Sequence, residues 1–461
     1  MSGATRLWFR VHSFTGVITG LLLFVLCWSG TFAVFAHELD WLATPEARVQ
    51  PDGDSAGWDA WMRTATRAYP QGRVVGMQAP AHDSDAVVAL IQRPDQPRRL
   101  VYINPYTGEL RGTASAFNIH RFFRNFHRSF FFPTQWGTYL VALLAVTLLL
   151  SLIAGLMFYR RWWTRFFSIA TWRRPAVWSE LHKLAGLWSV WFVLIIAATG
   201  IWYGVERFRL DFGDGIFAYA GNGDLALNPI PRPGSDPSPP LLSLPELISA
   251  ANRERPDLNI RTIVPAPGLL YLEGQAGHIL VRDRANHLYL DARGGTVLYS
   301  QSANDLPLYW RWSETADPLH FGDFAGLASK TVWFVFGLLL CGLILTGTWI
   351  HARRLGRSAR SRQRHRWPGT LPAVVVSAVV LAASLPFALH EMRTLYGDAA
   401  KGAQQLPALS PGVTGVILGW IVLTLIVLFL WAWTLRRTLQ REGRPSKVER
   451  RPEKTPGKSC I

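Results

Sequence analysis

The sequence predicts an α-helical polytopic membrane protein. It is built as a duplicated unit of helix, α+β module and helix, whose four helices form a bundle, followed by two extra C-terminal transmembrane helices. Three observations predict this. Of 461 residues, 49% are hydrophobic and 21 are Trp, with a mean hydropathy of +0.13, too apolar for a soluble chain of this length. Six apolar stretches reach the roughly 20 residues that cross a bilayer. The first half of the chain also recurs in the second, histidine for histidine and glycine for glycine.

Residues 1–37 hold a short basic start and the first span, about 14–36. That span ends "FAVFAHELDWL" with no convincing small-residue cleavage site, so it reads as a retained helix and not a signal peptide. Residues 38–118 form a first α+β module, and 119–160 an amphipathic segment, "FNIHRFFRNFHRSFFF", leading into the second span. A loop at 161–181 and the third span at 182–205 follow, then a second module at 206–318 and the fourth span within 319–351. A loop at 352–369 precedes the fifth span, 370–390, the weakest because Pro386 interrupts it. Residues 391–411 connect it to the sixth span, 412–435, and 436–461 form a basic tail.

Charge sets the direction. Net charge is +17, but half of the 48 Lys and Arg lie at the start, in the loops after spans two and four, and in the tail, with only Glu180, Glu442, Glu449 and Glu453 to oppose them. Every second loop is therefore basic, which places both termini in the cytoplasm and both modules outside, in the periplasm of a bacterial inner membrane. The basic total is a topology signal, with lipid headgroups as partners, and no nucleic-acid motif accompanies it. Cys27, Cys341 and Cys460 form no CxxC or CxxCH, which excludes covalently attached haem.

The repeat aligns without gaps at the first and third spans: His12 with His182, Gly16 with Gly186, Gly30 with Gly200. At the second and fourth, His127 matches His320 to within one residue, and Gly155 matches Gly347. Both modules begin with a helix-like run ("WDAWMRTATRAYP", "LPELISAANRERP"). Both close on a strand that enters an Asn/Asp-x-x-x-Gly turn, "VYINPYTGEL" and "LYLDARGGTV". The two copies run in the same direction, as a parallel repeat.

Over about 1–355 these motifs resemble the PepSY-associated transmembrane family, which includes iron-regulated membrane proteins and ferric-siderophore reductases. The resemblance implies PepSY-like modules and haem-dependent reduction of a periplasmic ferric siderophore or other iron complex.

Low-spin haem b needs two axial imidazoles from two helices at one depth. The duplication supplies two such pairs, His12 with His182 at the cytoplasmic end and His127 with His320 at the periplasmic end, so two bis-His haems are expected. His37, His351 and His120 are reserve ligands, and Arg6, Arg10, Arg121, Arg124 and Arg128 are candidates for propionate contacts or, more blandly, lipid phosphates. Each histidine alone also reads as an interfacial cap, but a symmetric set of four points further. The recurring glycine spacing has a plain alternative in helix packing. No Gly-rich nucleotide fingerprint occurs, so the electron donor is a separate cytoplasmic protein or a quinol. The competing function is a membrane-anchored PepSY module that binds a peptide, protease or partner without redox activity. A transporter on parallel repeats would want buried mid-span charges, and the central parts of spans one to four hold no Asp, Glu, Lys or Arg.

Overall fold

The computed structural model describes residues 3–94, 96–159, 161–168, 177–212, 241–362, 370–397 and 405–443. His365, Cys460 and parts of the basic segments lie outside them. The chain begins with α1 (Gly3–Ile18), α2 (Gly20–Ala33) and α3 (Ala36–Ala43). A first extramembrane unit follows: α4 (Gly57–Ala68) and strands β1 (Arg73–Gln78), β2 (Val87–Arg93), β3 (Gln96–Ile103) and β4 (Leu110–Ser115). Next come α5 (Ile119–Ser129), α6 (Thr134–Phe158), α7 (Val177–Trp188) and α8 (Val190–Asp211). A second unit holds α9 (Leu244–Glu254), β5 (Asn259–Ala266), β6 (Leu269–Gln275), β7 (His287–Asp291) and β8 (Val297–Gln301). The chain continues through α10 (Leu308–Phe321), α11 (Gly326–Arg362), α12 (Thr370–Glu391) and α13 (Pro411–Gly443).

Among the described residues five helical segments are long and apolar enough to cross a membrane: Thr134–Phe158, Val190–Asp211, Gly326–Arg354, Ala373–Tyr396 and Pro411–Thr438. The sixth expected span is a bent pair, α1 and α2, which meet at 67°. The break has a local cause. Thr15 Oγ1 donates back to Val11 O (2.9 Å) and Thr19 Oγ1 to Thr15 O (2.8 Å), and such hydroxyl back-bonding bends helices, here beside Gly16 and Gly20. The third span is broken too, between α7 and α8 at Ser189, so its long helix runs over 190–211 and not from 182. Thr19 and Ser189 each stand seven residues beyond a histidine, His12 and His182.

Helix α6 packs on α1 and α8, while α11 packs on α2 and α7. Leu22, Phe24, Leu26, Leu144, Leu148, Phe192, Ala197 and Leu340 are buried where they meet. The outward faces of α6, α12 and α13 expose Leu143, Leu150, Val376, Leu418 and Phe429, which suits hydrocarbon, and every spanning segment satisfies its backbone as a helix. Pro386 lies inside α12 without ending it.

The two units share one antiparallel sheet of order β4-β3-β2-β1-β5-β6-β7-β8. The seam is β1 on β5, with Met77 opposite Ile263 and Gln78 opposite Thr262. Each four-stranded unit alone would leave an open edge, and pairing the two edges closes both. Helices α4 and α9 cover one face, where Trp61, Ala65, Leu247 and Ala251 meet alternating strand residues such as Val87, Ala89, Ile263, Leu272 and Leu288. Both Asn/Asp-x-x-x-Gly turns form as the spacing predicts. Gly108 N donates to Asn104 O and Gly295 N to Asp291 O, and the two glycines take φ of +71° and +65°.

Candidate functional site

Four histidines converge as two pairs. His12 on α1 and His182 on α7 have ring centroids 6.4 Å apart. His127 on α5 and His320 on α10 have theirs 6.0 Å apart. These last two lie on short helices that precede the spans and not on the spans themselves. Two imidazoles on opposite sides of one metal ion have centres about 6 Å apart, because each metal–nitrogen bond is about 2 Å and each ring centre lies about 1 Å beyond. Both pairs match that separation.

The second ring nitrogen of each histidine fixes its tautomer. His12 Nδ1 lies 2.8 Å from Ser151 O and His127 Nδ1 lies 3.0 Å from Leu26 O. A carbonyl only accepts, so both Nδ1 atoms carry the proton. His182 Nδ1 lies 3.0 Å from Thr346 Oγ1, and His320 Nδ1 lies 2.7 Å from Thr199 Oγ1. Each threonine already donates its hydroxyl hydrogen within its helix, Thr346 to Gly342 O and Thr199 to Ile195 O, so each accepts from the imidazole. All four rings are thus Nδ1–H tautomers with a lone pair on Nε2, and among the described residues no hydrogen bond engages Nε2. This is the neutral form in which histidine ligates a metal, oriented through its other nitrogen.

Of the glycines the repeat aligns, Gly30 and Gly347 seat the rings, and Gly16 and Gly186, four residues beyond a histidine, do not. A Cβ at Gly30 would stand 2.5 Å from His127 Cε1, and one at Gly347 3.1 Å from His182 Cε1. At Gly16 and Gly186 the first atoms met lie at 4.0 and 3.9 Å, ordinary contact. Protein packing alone does not call for glycine at those two positions.

The reserve ligands stand apart. His37 and His120 stack on each other, centroids 4.1 Å apart and planes 25° apart. Among the described residues no ring contact joins His351 to either pair. The start of α5 is tied down by Asp40, which accepts from Ile119 N and His120 N, both at 2.8 Å, and by Asn118, which accepts from Arg121 N. Burial pushes the Asp40 carboxyl up to about 7 despite those two bonds.

A charged network beside the His127–His320 pair has no counterpart in the sequence reading. Tyr203 packs edge-on to His320 at 5.2 Å and donates to Asp317 at 2.7 Å. Arg284 pairs with Glu314 (2.9 Å) and Asp317 (3.2 Å), and Arg282 pairs with Asp323 (2.7 Å) and lies 3.5 Å from Asp317. Burial raises the Glu314 carboxyl and Arg284 opposes it. The signal available in sequence was Glu314, Asp317 and His320 at threefold spacing, one face of a helix.

A family model described as the PepSY-associated TM region matches residues 9–354. The chain belongs to that family. The matched region takes in both histidine pairs, both sheet units and the helices that carry them, and ends before α12 and α13. A relative in Pseudomonas aeruginosa, named only as an uncharacterized protein, is 27% identical over 373 residues, 69% of this chain and 89% of that one. The chemistry has to be argued from the histidines.

Proposed function

We propose that this PepSY-associated TM protein carries electrons across a bacterial inner membrane, from a cytoplasmic or quinol donor to a periplasmic ferric siderophore. The observation that supports it best is the matched pair of histidine pairs, each at the separation of two ligands on one metal and each with Nε2 as the free nitrogen. In this reading the chain is a duplicated unit, and the basic segments keep both termini in the cytoplasm. His12 and His182 hold one haem b near the donor, and His127 and His320 hold another near the acceptor. Haem bound there supplies one-electron chemistry at a potential set by its two imidazoles and their burial.

The chain's own residues do the rest. Ser151, Thr346, Leu26 and Thr199 keep each imidazole turned and deprotonated at Nε2. Buried Leu22, Leu23, Phe24, Val25 and Leu26 keep water out between the pairs. Gly16 and Gly186 leave room that packing of the chain does not use. At the outer side the iron complex is substrate: its oxygen donors prefer Fe(III), so a one-electron reduction to Fe(II) loosens their grip.

The test is the absorption spectrum of the full-length protein purified from haem-replete cells. Sharp α and Soret bands on dithionite reduction are expected, and His12→Ala and His127→Ala should each remove a different part of them. A colourless preparation would refute the reading.

A further inference from the structure

The helices that carry the outer histidines are charged oppositely. Six and three residues before His127, α5 has Arg121 and Arg124, while six and three residues before His320, α10 has Glu314 and Asp317. The two sets do not neutralise each other. Arg284 takes Glu314 and Asp317, and Tyr203 and Arg282 also engage Asp317. Arg121 and Arg124, with Arg128 one turn further, share the face of α5 opposite its buried Ile119, Phe122 and Phe123. Among the described residues none of the three makes an ion pair or a side-chain hydrogen bond. Glu391, whose charge reaches Arg121 and Arg128, accepts from Asn125 Nδ2 at 2.5 Å.

Arg124 and Arg128 are exposed and Arg121 is half-buried. Asp317 of α10 and Arg284 lie near enough for their charges to act on Arg124, as do those of Arg121 and Arg128. Three guanidinium groups crowd about two turns of helix beside His127 with their donors unspent. That arrangement costs free energy in the free protein and is relieved by bound oxygen anions.

We propose that Arg121, Arg124 and Arg128 are the receptor for the negatively charged oxygen ligands of the electron acceptor, so that the substrate class is an anionic ferric chelate, with carboxylate or catecholate donors, and not a neutral or cationic one. This rests on the electron-transfer reading for its purpose, but not for its test. Haem propionates offer the same carboxylate chemistry, and the experiment separates the two sources.

The full chain in nanodiscs is titrated by calorimetry with redox-inert Ga(III) chelates, a tris-catecholate of charge −3 and a neutral tris-hydroxamate. The anionic chelate is expected to bind at least about tenfold tighter. The Arg124→Gln/Arg128→Gln double variant, altered only at exposed side chains, should weaken the anionic chelate by about tenfold or more, with Arg124→Lys intermediate and the neutral chelate unchanged. The haem absorbance and midpoint potentials should stay as in the parent. Equal binding of the two chelates, or undiminished anionic binding by the double variant, overturns the receptor. So does a shift in haem absorbance or potential in that variant, since the arginines would then hold haem carboxylates. A parent protein that lacks haem yet binds the anionic chelate leaves the receptor standing and removes the electron-transfer reading instead.

Discussion

The four histidines differ in how many acceptors hold the Nδ1–H, and so in how replaceable each acceptor is. His320 relies on the Thr199 hydroxyl alone, whereas His127 has Leu26 O at 3.0 Å and Ser29 Oγ at 3.2 Å. Thr199→Val, nearly isosteric, should cut haem affinity at the outer pair by about 10–100-fold, while Ser29→Ala changes it little, as read by haem titration of the apoprotein. Outside the membrane, Asp40 gives a pH signature. Its folded value of about 7 stands above the ordinary 3.8, so its contribution to stability is complete below about pH 3.8 and is lost as pH rises through about 7. The melting temperature of the parent relative to Asp40→Asn is therefore expected to fall between about pH 4 and 7 and to level off above. A constant difference across that window would refute the raised value. Neither role was legible in sequence, because both depend on which backbone group lies across a helix interface.

At the scale of elements, the sequence was informative wherever the signal lay within one element. The Asn104 and Asp291 turns and the five straight spans follow from local spacing. His12 and Gly16 share a face of α1, and that much is helical arithmetic. Which glycine touches which ring is a property of two helices, and the contacts fall on Gly30 and Gly347. The break at Thr19 was equally hidden, since Thr is an ordinary residue in an apolar run until its hydroxyl bonds backward, and so was that at Ser189, whose buried hydroxyl has no partner among the described residues. The glycine assignment has a direct check. Gly30→Ala places a methyl 2.5 Å from His127 Cε1, forcing the imidazole aside at a cost of about 1–3 kcal/mol. Gly16→Ala meets its first neighbour at 4.0 Å, so the apoprotein should fold unchanged. Thermal unfolding of the two apoproteins compares them. If the two variants are equally stable, the seating of His127 against Gly30 is wrong.

On the scale of the molecule, the least legible part is α12 and α13, which lie outside the repeat and carry no motif. Their meaning lies in what they hold. Trp420 on α13 is buried against Phe122, Phe123 and Phe126 of α5, at 5.7, 5.3 and 5.6 Å. Thr424 on α13 accepts from Trp28 Nε1 of α2 at 2.9 Å, and Glu391 at the end of α12 accepts from Asn125 of α5. The added helices therefore brace α5 and α2, the two helices that set His127 and its acceptor Leu26. α5 needs bracing, because it reverses into α6 through Phe130 and Phe131, both at positive φ, a conformation that bulky residues hold only when packing over-determines it. Trp420→Ala should remove about 3–5 kcal/mol of packing and loosen the outer pair selectively: the haem held by His127 and His320 would dissociate faster while that at His12 and His182 stays. Trp420→Phe keeps the ring contacts and deletes an indole N–H that is buried without a partner among the described residues, so it should be close to neutral. Haem transfer to an apo-globin acceptor, followed at the two Soret components, separates these outcomes. Equal loosening of both pairs by Trp420→Ala would mean that α13 steadies the bundle as a whole and not the outer site.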